Sequence, residues 1–374
     1  MAGGEHVLAF LALPPPIHGQ STINAIVVAK LMGLDGVRAT VIDIGPGRSR
    51  HGWRYHLTRV RRVAAALAQL FYDAAVPRRT VYTVVESGWG IFYNLLLVSI
   101  SRIFGYRLIL HHHTSAHVLA ERYSFRWLAR LAGPRAIHVV LSPAMAGDLT
   151  RRYPAVANVI VVHNAGAISA PADPGLVGSE LPRLRLGFLS NLSDEKGLDT
   201  VFSVLRNARS NGLDLLLHLA GPAMTAKAAA DIALAKQEFG AALKIMGPLY
   251  GPAKAAFYEQ IDVFLFPSRY LYEAQSLVVI DAMAHGRPVI ALDRGYTAEL
   301  IGTGGVIVAD PQAFISITTE LCRAWLTNPN ALRRYAEASR RRFSELHRNG
   351  VVDLERLLSY FLPRHSDGLV KGAP

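Results

Sequence analysis

Short apolar runs alternate with longer segments of helical periodicity along most of this chain. Apolar runs of about four to eight residues that end at turn residues predict buried strands, and their alternation with helices predicts a parallel, doubly wound sheet. We therefore predict an α/β fold. The predicted strands are 6–13, 38–44, 80–85, 107–112, 136–141, 158–162, 184–189, 213–219, 243–246, 261–266, 288–291 and 305–309, and the predicted helices include 21–32, 55–74, 90–104, 117–131, 144–152 and 276–285.

The alternation is interrupted by a stretch of small residues, proline and glycine that has almost no periodicity. A chain of 374 residues suits two domains better than one core, so this stretch reads as a linker. We predict an N-terminal Rossmann-like domain at 1–164, the linker at 165–182, a C-terminal Rossmann-like domain at 183–350, and a last helix with its tail at 351–374.

One segment of the second half, FPSRYLYEAQSLVVIDAMAHGRPVIA at 266–291, combines a strand, a polar loop, a helix and a second strand. Glu273 stands at the mouth of the predicted helix and Asp281 lies two turns inside it. Backbone amides and a helix N-terminus at the C-terminal edge of a parallel sheet attract phosphate groups. The segment therefore predicts an anion-binding loop.

This segment resembles the E-x7-E region of retaining GT-B glycosyltransferases of the family-4 type, the group 1 glycosyltransferases. The match covers Pro267-Ser268, Glu273, the small residues after it and the run from Ala282 to Val289. The second glutamate of the family pattern is Asp281 here, which is one methylene shorter. The resemblance implies two Rossmann-like domains that face each other across a cleft, with the nucleotide-sugar donor on the C-terminal one.

A second polar loop, at 190–199, follows the first strand of the C-terminal half. Lys196-Gly197 precedes an amphipathic helix, which is another anion-binding arrangement, although a lone lysine is more often a surface residue. The loop resembles the family's diphosphate-binding loop, in which an arginine and a lysine neutralise the donor. Lys196 is retained, whereas Asn191 occupies the arginine position.

A proline-rich loop ending in Gly19 follows the first predicted strand, and a helix is predicted from about Ser21. The loop is not G-x-G-x-x-G, so the dinucleotide-binding interpretation is weak. The resemblance places Gly19 between acceptor and donor, and a proline-stiffened connection is the structural alternative. The same resemblance places the loop that contains Leu249 against the nucleotide base, mainly through its backbone.

Three adjacent histidines at 111–113, with His117 close behind, end another predicted strand. Neighbouring side chains on an extended chain point to opposite faces, so the three cannot ligate one metal from one side. We therefore expect no metal site. The resemblance implies that His113 approaches the transferred sugar or the acceptor, while packing or helix capping is expected for His111 and His112.

Composition excludes several other classes. The chain is 51% hydrophobic and 18% charged, it has one cysteine, Cys322, and we expect neither a disulfide framework nor a signal peptide. The longest apolar run, 91–100, is far short of a membrane span, so we expect a cytoplasmic protein. No helix-turn-helix, zinc or aromatic-platform pattern indicates nucleic-acid binding.

The net charge of +12 is unevenly distributed: residues 1–180 carry 18 Lys+Arg against 9 Asp+Glu, and residues 181–374 carry 22 against 19. Six arginines fall within 48–62 without an acidic residue, and aromatic and apolar residues stand between them. A solvated helix face is one interpretation, and contact of the basic half with an anionic membrane surface is the other. The arginines are Arg48, Arg50, Arg54, Arg59, Arg61 and Arg62.

Together these features predict a metal-independent, retaining glycosyltransferase that acts on a cell-surface glycan or a lipid-linked saccharide. The sequence contains no D-x-D, and no cofactor is expected. A non-catalytic sugar-nucleotide-binding or scaffold protein and a GT-B epimerase are the alternatives. By resemblance the catalytic residues are His113, Lys196 and Glu273, and the donor-binding residues are Gly19, Asn191, Lys196, Leu249, Glu273, Ala274, Gln275, Ser276, Leu277 and Asp281.

Overall fold

A computed structural model describes residues 5–45, 53–169, 171 and 183–363, with the side chains of Trp53 and Arg54 left out. The chain divides into two compact units. Unit 1 comprises Met1–Val162 together with Val352–Pro374, and unit 2 comprises His163–Val351. Most of the predicted linker and the end of the predicted tail, from residue 364, lie outside the described residues.

Unit 1 contains a six-stranded parallel sheet in the order β2-β1-β3-β4-β5-β6. β1 is buried along its whole length because helices cover both faces of a doubly wound sheet. The elements are β1 Glu5–Leu11, α1 Gly19–Met32, β2 Val37–Asp43, α2 Trp53–Tyr72, β3 Arg79–Val84, α3 Gly90–Ile103, β4 Arg107–His111, α4 Ala116–Leu119, α5 Tyr123–Ala132, β5 Ile137–Val140, α6 Pro143–Arg152 and β6 Asn158–Val161.

Unit 2 contains a second six-stranded parallel sheet, in the order β12-β11-β10-β7-β8-β9. Its core consists mainly of aliphatic side chains from the central strands and from α7 and α12. The elements are β7 Leu184–Leu189, α7 Leu198–Ser210, β8 Leu215–Ala220, α8 Ala226–Phe239, β9 Leu243–Gly247, α9 Pro252–Glu259, β10 Val263–Phe266, α10 Leu277–Ala284, β11 Val289–Leu292, α11 Thr297–Ile301, β12 Gly305–Val308, α12 Phe314–Thr327 and α13 Pro329–Ser359, of which the residues from Val352 belong to unit 1.

The two parallel sheets confirm the predicted α/β class, and the helices differ from the prediction at a few places. The helix predicted at 117–131 is broken into α4 and α5, because Ala120 and Arg122 are extended. The Tyr153 hydroxyl supports the break: it accepts from the Arg122 amide at 2.9 Å and donates to the His117 carbonyl at 2.7 Å. Backbone groups that a continuous helix would pair are therefore satisfied by one side chain.

Two helix boundaries also differ from the prediction. α1 begins at Gly19 instead of Ser21, because the His18 ring accepts from the Ser21 amide and the Ser21 hydroxyl accepts from the His18 amide. This reciprocal cap starts the helix two residues earlier. The separate helix predicted from residue 351 is the end of α13, which runs without a break from Pro329 to Ser359.

Candidate functional site

The candidate site lies at the C-terminal edge of the unit 2 sheet, where β7 and β10 are neighbours. The residues that follow β7 form the loop at 190–197, and the residues that follow β10 form the loop at 267–276. Because parallel strands end at the same edge, the two polar loops meet there. Loops 190–197 and 267–276 are therefore the place where a ligand of unit 2 would collect.

Gly197 allows these two loops to touch. Its φ of 84° is in the left-handed region, and a Cβ built on it would lie 2.3 Å from the carbonyl oxygen of Pro267. The Arg269 amide donates to the Glu195 carbonyl at 2.8 Å, which fixes a second point of contact. The glycine after Lys196 is thus required for close packing, and this packing carries Lys196 to the second loop.

Lys196 and Glu273 form an ion pair across the two loops through Nζ and Oε1. The Ser268 hydroxyl donates to the same carboxylate oxygen at 2.8 Å, and the Lys196 ammonium lies 4.8 Å from the centre of the Tyr270 ring. The side chains of Lys196 and Glu273 retain 25% and 11% of their exposure. A cation and an anion that are 77 residues apart in sequence are therefore in contact at a partly exposed surface.

The backbone of Glu273 is held from its other side by Gly295 and Tyr296. The Tyr296 amide donates to the Glu273 carbonyl at 3.0 Å. Gly295 has a φ of 56°, and a Cβ there would lie 1.9 Å from that same carbonyl oxygen. The peptide of Glu273 consequently has little freedom to shift.

The residues after Glu273 lead directly into α10. Ala274, Gln275 and Leu277 are largely buried, and Ser276 is the N-cap without a side-chain capping bond. The Gln275 side chain accepts from the Asn164 amide at 2.9 Å, which anchors the loop within unit 2. The first amides of α10 have no intrahelical partner, so this helix end can accept an anionic ligand.

Asp281 lies on α10 and is paired with Lys254 of α9 through Oδ2 and Nζ. Burial raises the pKa of Asp281, and the adjacent Lys254 opposes that increase. The sequence interpretation did not include Lys254. A lysine in the first turn of a helix is opposed by the helix dipole, and that unfavourable position was the available signal that it has a specific partner.

Comparison with known sequences identifies this part of the chain. Residues 183–324 match the profile of the family described as "Glycosyl transferases group 1". These residues form a group 1 glycosyltransferase domain. The chain is also 28% identical over 218 residues to the sulfoquinovosyl transferase SQD2 of Arabidopsis thaliana, an alignment that spans 54% of this chain and 41% of the relative.

A second curated relative of the group 1 glycosyltransferase domain is an alpha-maltose-1-phosphate synthase of Mycolicibacterium smegmatis, with 28% identity over 244 residues, 59% of this chain and 61% of that protein. The chain thus spans less than two thirds of either relative. The crystal structure of Anabaena Alr3699/HepE in complex with UDP covers 95% of this chain and 98% of its own, with a TM-score of 0.66 and 15% identity. This likeness confirms the GT-B fold.

Two further predicted donor residues of the glycosyltransferase domain, Asn191 and Leu249, lie on neighbouring loops. Asn191 is exposed, and its loop is fixed because the Leu192 amide donates to the Pro222 carbonyl at 2.9 Å. Leu249 is partly buried after β9. Arg269 of the facing loop binds Asp199 and Thr200 at 2.6 and 2.8 Å. The ligand roles of Asn191, Leu249 and Asp281 stay predictions.

Unit 1 contains the other predicted site residues, Gly19 and His113. Gly19 is exposed as the first residue of α1, and His113 follows the C-terminal end of β4. The His113 ring lies 4.0 Å from that of His111, centre to centre. Burial, together with a smaller contribution from nearby His18, lowers the pKa of His113 to about 3. A neutral imidazole is therefore available at this edge of unit 1.

The other histidines of this region form a buried hydrogen-bonded row instead of helix caps. The two ring nitrogens of His112 lie 2.7 Å from Nε2 of His117 and 3.0 Å from Nδ1 of His138. Burial lowers the pKa of His117 to about 3 and that of His138 to about 4. No group of three potential ligands among the described residues could hold a metal ion. His111 is bound separately, at 2.7 Å from the Tyr82 hydroxyl.

Two arginines of the basic segment at 48–62 form ion pairs within unit 1. Arg62 donates to Asp43 at 2.5 Å, and Arg59 is buried, 3.5 Å from Glu86. Both are therefore engaged within unit 1. Arg61 is exposed, whereas Arg48, Arg50 and the Arg54 side chain lie outside the described residues. Across the part of the chain that the structure describes, no helix is both long enough and apolar enough to cross a bilayer.

Proposed function

We propose that this protein transfers a hexosyl residue from a nucleotide-sugar donor to a growing cell-surface glycan or a lipid-linked saccharide, without a metal ion and with retention at the anomeric carbon. The Lys196–Glu273 pair beside the N-terminus of α10 is the observation that carries this proposal. The family match and the donor complexes of Anabaena HepE, with UDP and with UDP-glucose, support it.

The charge of the leaving group determines the role of Lys196. When the bond between the sugar and the diphosphate breaks, negative charge develops on the departing phosphate oxygen. Lys196 and the amides of Ala274 to Leu277 would stabilise that charge, which is often the largest single contribution to catalysis. The sequence lacks a D-x-D motif that would bridge a metal ion, so these groups take that role in the proposed reaction.

Glu273 is proposed to bind the sugar and not to act as a nucleophile. Its carboxylate would accept hydrogen bonds from sugar hydroxyls once Lys196 pairs with the diphosphate instead. The acceptor hydroxyl then attacks the anomeric carbon from the face that the diphosphate leaves, and a phosphate oxygen takes the hydroxyl proton. One carbon–oxygen bond forms as the other breaks, so the configuration is retained.

The other predicted site residues would bind and orient the two substrates. Asp281 is proposed to contact the nucleotide ribose, Asn191 the donor diphosphate and Leu249 the base. Gly19 and His113 are proposed to contact the sugar or the acceptor. We also propose that the protein works at the cytoplasmic face of a membrane, because the acceptor is anchored there and residues 1–180 carry 18 basic against 9 acidic residues.

Thermal unfolding of the full chain with nucleoside diphosphates, their sugars and inorganic phosphate, all in EDTA, tests donor binding. A ligand at 100 times its Kd adds about 2.7 kcal/mol, which raises Tm by roughly 5 °C or more for a unit of this size. We expect one nucleotide family to give this shift, and Glu273→Ala or Lys196→Ala to abolish it.

Glu337→Ala and Lys244→Ala are the matched controls, because both side chains are exposed and lie outside the two loops. They should keep the shift. If no nucleotide changes Tm, or if the site variants respond as the wild type does, the donor site is wrong. Binding without transfer to any glycan acceptor would favour the scaffold alternative, and a product of inverted configuration would contradict retention.

A further inference from the structure

Helices α3 and α5 of unit 1 pack against each other and expose a surface of large apolar side chains. Trp89, at the start of α3, is 85% exposed, and Ile103, at its end, is 74% exposed. Tyr123 and Trp127 of α5 are 74% and 58% exposed. We call this surface the α3–α5 aromatic face, and it consists of Trp89, Phe92, Leu96, Ile103, Tyr123, Trp127 and Leu131.

The α3–α5 aromatic face is the outer side of both helices. The inner sides are occupied by other apolar residues, such as Leu97 and Val98 of α3 and Phe125 and Leu128 of α5, which are fully buried. A helix on the surface of a globular protein normally turns a polar face outwards. Here the outer side is apolar as well, and the protein core does not account for it.

The charged residues of helices α3 and α5 are all arginines. The guanidinium of Arg126 lies 5.3 Å from the centre of the Tyr123 ring, and that of Arg130 lies 5.5 Å from the centre of the Trp127 ring. The two helices contain three arginines, Arg102, Arg126 and Arg130, and no acidic residue, and Glu121, which precedes α5, is paired with Arg126. Tryptophan and tyrosine interleaved with arginine suit the boundary between lipid headgroups and acyl chains.

More positive charge follows the end of α3. An open cavity of about 410 Å³ is lined by Arg78, Arg79 and Arg107 together with Glu5 and Gly105. Gly105 lies two residues after Ile103, the last residue of α3. Glu5, the acidic residue among them, accepts from the Thr80 hydroxyl at 2.7 Å. The end of the face is thus bordered by a second group of arginines.

We propose that the α3–α5 aromatic face binds an anionic bilayer surface, with its tryptophan and tyrosine rings at the headgroup level and its arginines on lipid phosphates. This inference specifies the surface for the proposed membrane association, and it does not depend on the transfer reaction. The segment at 48–62 is a different part of unit 1, in which Arg59 and Arg62 are paired with Glu86 and Asp43.

Vesicle co-sedimentation of the full chain tests the proposal. We expect binding to vesicles of phosphatidylcholine mixed with phosphatidylglycerol, weaker binding to phosphatidylcholine alone, and release as salt is raised. Trp89→Ser combined with Trp127→Ser should weaken binding at least about tenfold, because two large apolar surfaces are lost. The matched control combines Leu234→Ser with Ile245→Ser, two exposed apolar residues of unit 2, and should bind as the wild type does.

Both double variants change exposed positions, so an unchanged Tm verifies that they fold. The proposal is refuted if the wild type binds no anionic vesicle, or if the tryptophan variant binds as well as the control. Light scattering tests whether the face instead joins two copies of the chain. The proposal is also refuted if the wild type self-associates, the tryptophan variant is monomeric, and both bind vesicles equally. Nucleotide-induced thermal shifts are measured separately, so failure here leaves the proposed donor site standing.

Discussion

The buried histidine row of unit 1 predicts a steep loss of stability in mild acid. His112, His117 and His138 are fully or almost fully buried, and the two ring nitrogens of His112 are hydrogen-bonded to the rings of His117 and His138. Burial lowers their pKa, to about 3 for His117 and about 4 for His138, whereas an unfolded histidine titrates near 6.5. Folding therefore excludes protons that the unfolded chain binds, and stability present above pH 6.5 is lost as the pH falls towards about 4.

The size of this effect follows from the pKa values of His117 and His138. Near pH 5 the unfolded chain holds a proton on almost every histidine. Each buried ring that stays neutral therefore lowers the free energy of unfolding by 1.36 kcal/mol per pH unit over the roughly 1.5 units between pH 6.5 and pH 5. His117 and His138 together should thus remove about 4 kcal/mol between about pH 7.5 and pH 5. His112 acts in the same direction, because its pKa is also lowered. A typical protein has only about 5–15 kcal/mol in total.

Urea unfolding of the full chain at several pH values measures this loss. Hydrogen exchange read by mass spectrometry at each urea concentration resolves the two units, because peptides from unit 1 and unit 2 are assigned separately. His138→Gln removes one titrating ring, so the slope of the free energy of unfolding against pH should fall by up to 1.36 kcal/mol per pH unit for unit 1. His56→Gln, at an exposed position of α2, is the matched control.

The reasoning is refuted if the unit 1 transition does not move between about pH 7.5 and pH 5. It is equally refuted if His138→Gln keeps the wild-type slope, since a ring that titrates normally in both states contributes nothing to it. Nε2 of His138 has no hydrogen-bond partner among the described residues, so a proton added there would be buried without an acceptor.

Two further variants test contacts within unit 2. Gly197→Ala should lower the free energy of unfolding by more than the roughly 1–2 kcal/mol that a left-handed backbone costs, because its Cβ meets a carbonyl oxygen of the facing loop. The same variant should abolish the nucleotide-induced increase in Tm. Gly212→Ala, at φ 71° with nothing within 4 Å, should cost the strain alone, and equal costs would refute the packing argument. Lys254→Met should reduce the free energy of unfolding by roughly 3 kcal/mol near neutral pH, because the Asp281 carboxylate loses its partner. Urea unfolding should show recovery as the pH falls and Asp281 takes a proton, whereas a loss no larger than that of Lys244→Met would contradict the pairing.

The architecture was largely predictable from the chain, because strand ends and helix starts are local features. Apolar runs bounded by turn residues indicated the strands of both sheets, and the resemblance to GT-B glycosyltransferases is confirmed. The break between α4 and α5 was not predictable, since it depends on Tyr153, which lies 31 residues beyond Arg122. The helical periodicity of that stretch gave no sign of the break.

The site was predictable in part for a related reason. Sequence placed Lys196 and Glu273 on two loops after parallel strands, and such loops meet at one edge. It did not reveal the partners Lys254 and Tyr270, whose contacts depend on how neighbouring elements pack. The histidine row was missed because His138 comes from a different strand, and only the pairing of β4 with β5 brings it beside His112.

The ion pair between Lys196 and Glu273 also has a consequence for selectivity. Lys196 already holds an anion, and that anion is attached to the same chain, so every incoming phosphate must compete with it. A free phosphate ion offers little beyond the charge that it displaces, whereas a nucleotide sugar adds contacts from its base, its ribose and its sugar. An internal competitor of this kind raises the threshold for small anions, which are abundant in cells, and leaves the lysine to ligands large enough to reach several parts of the site together.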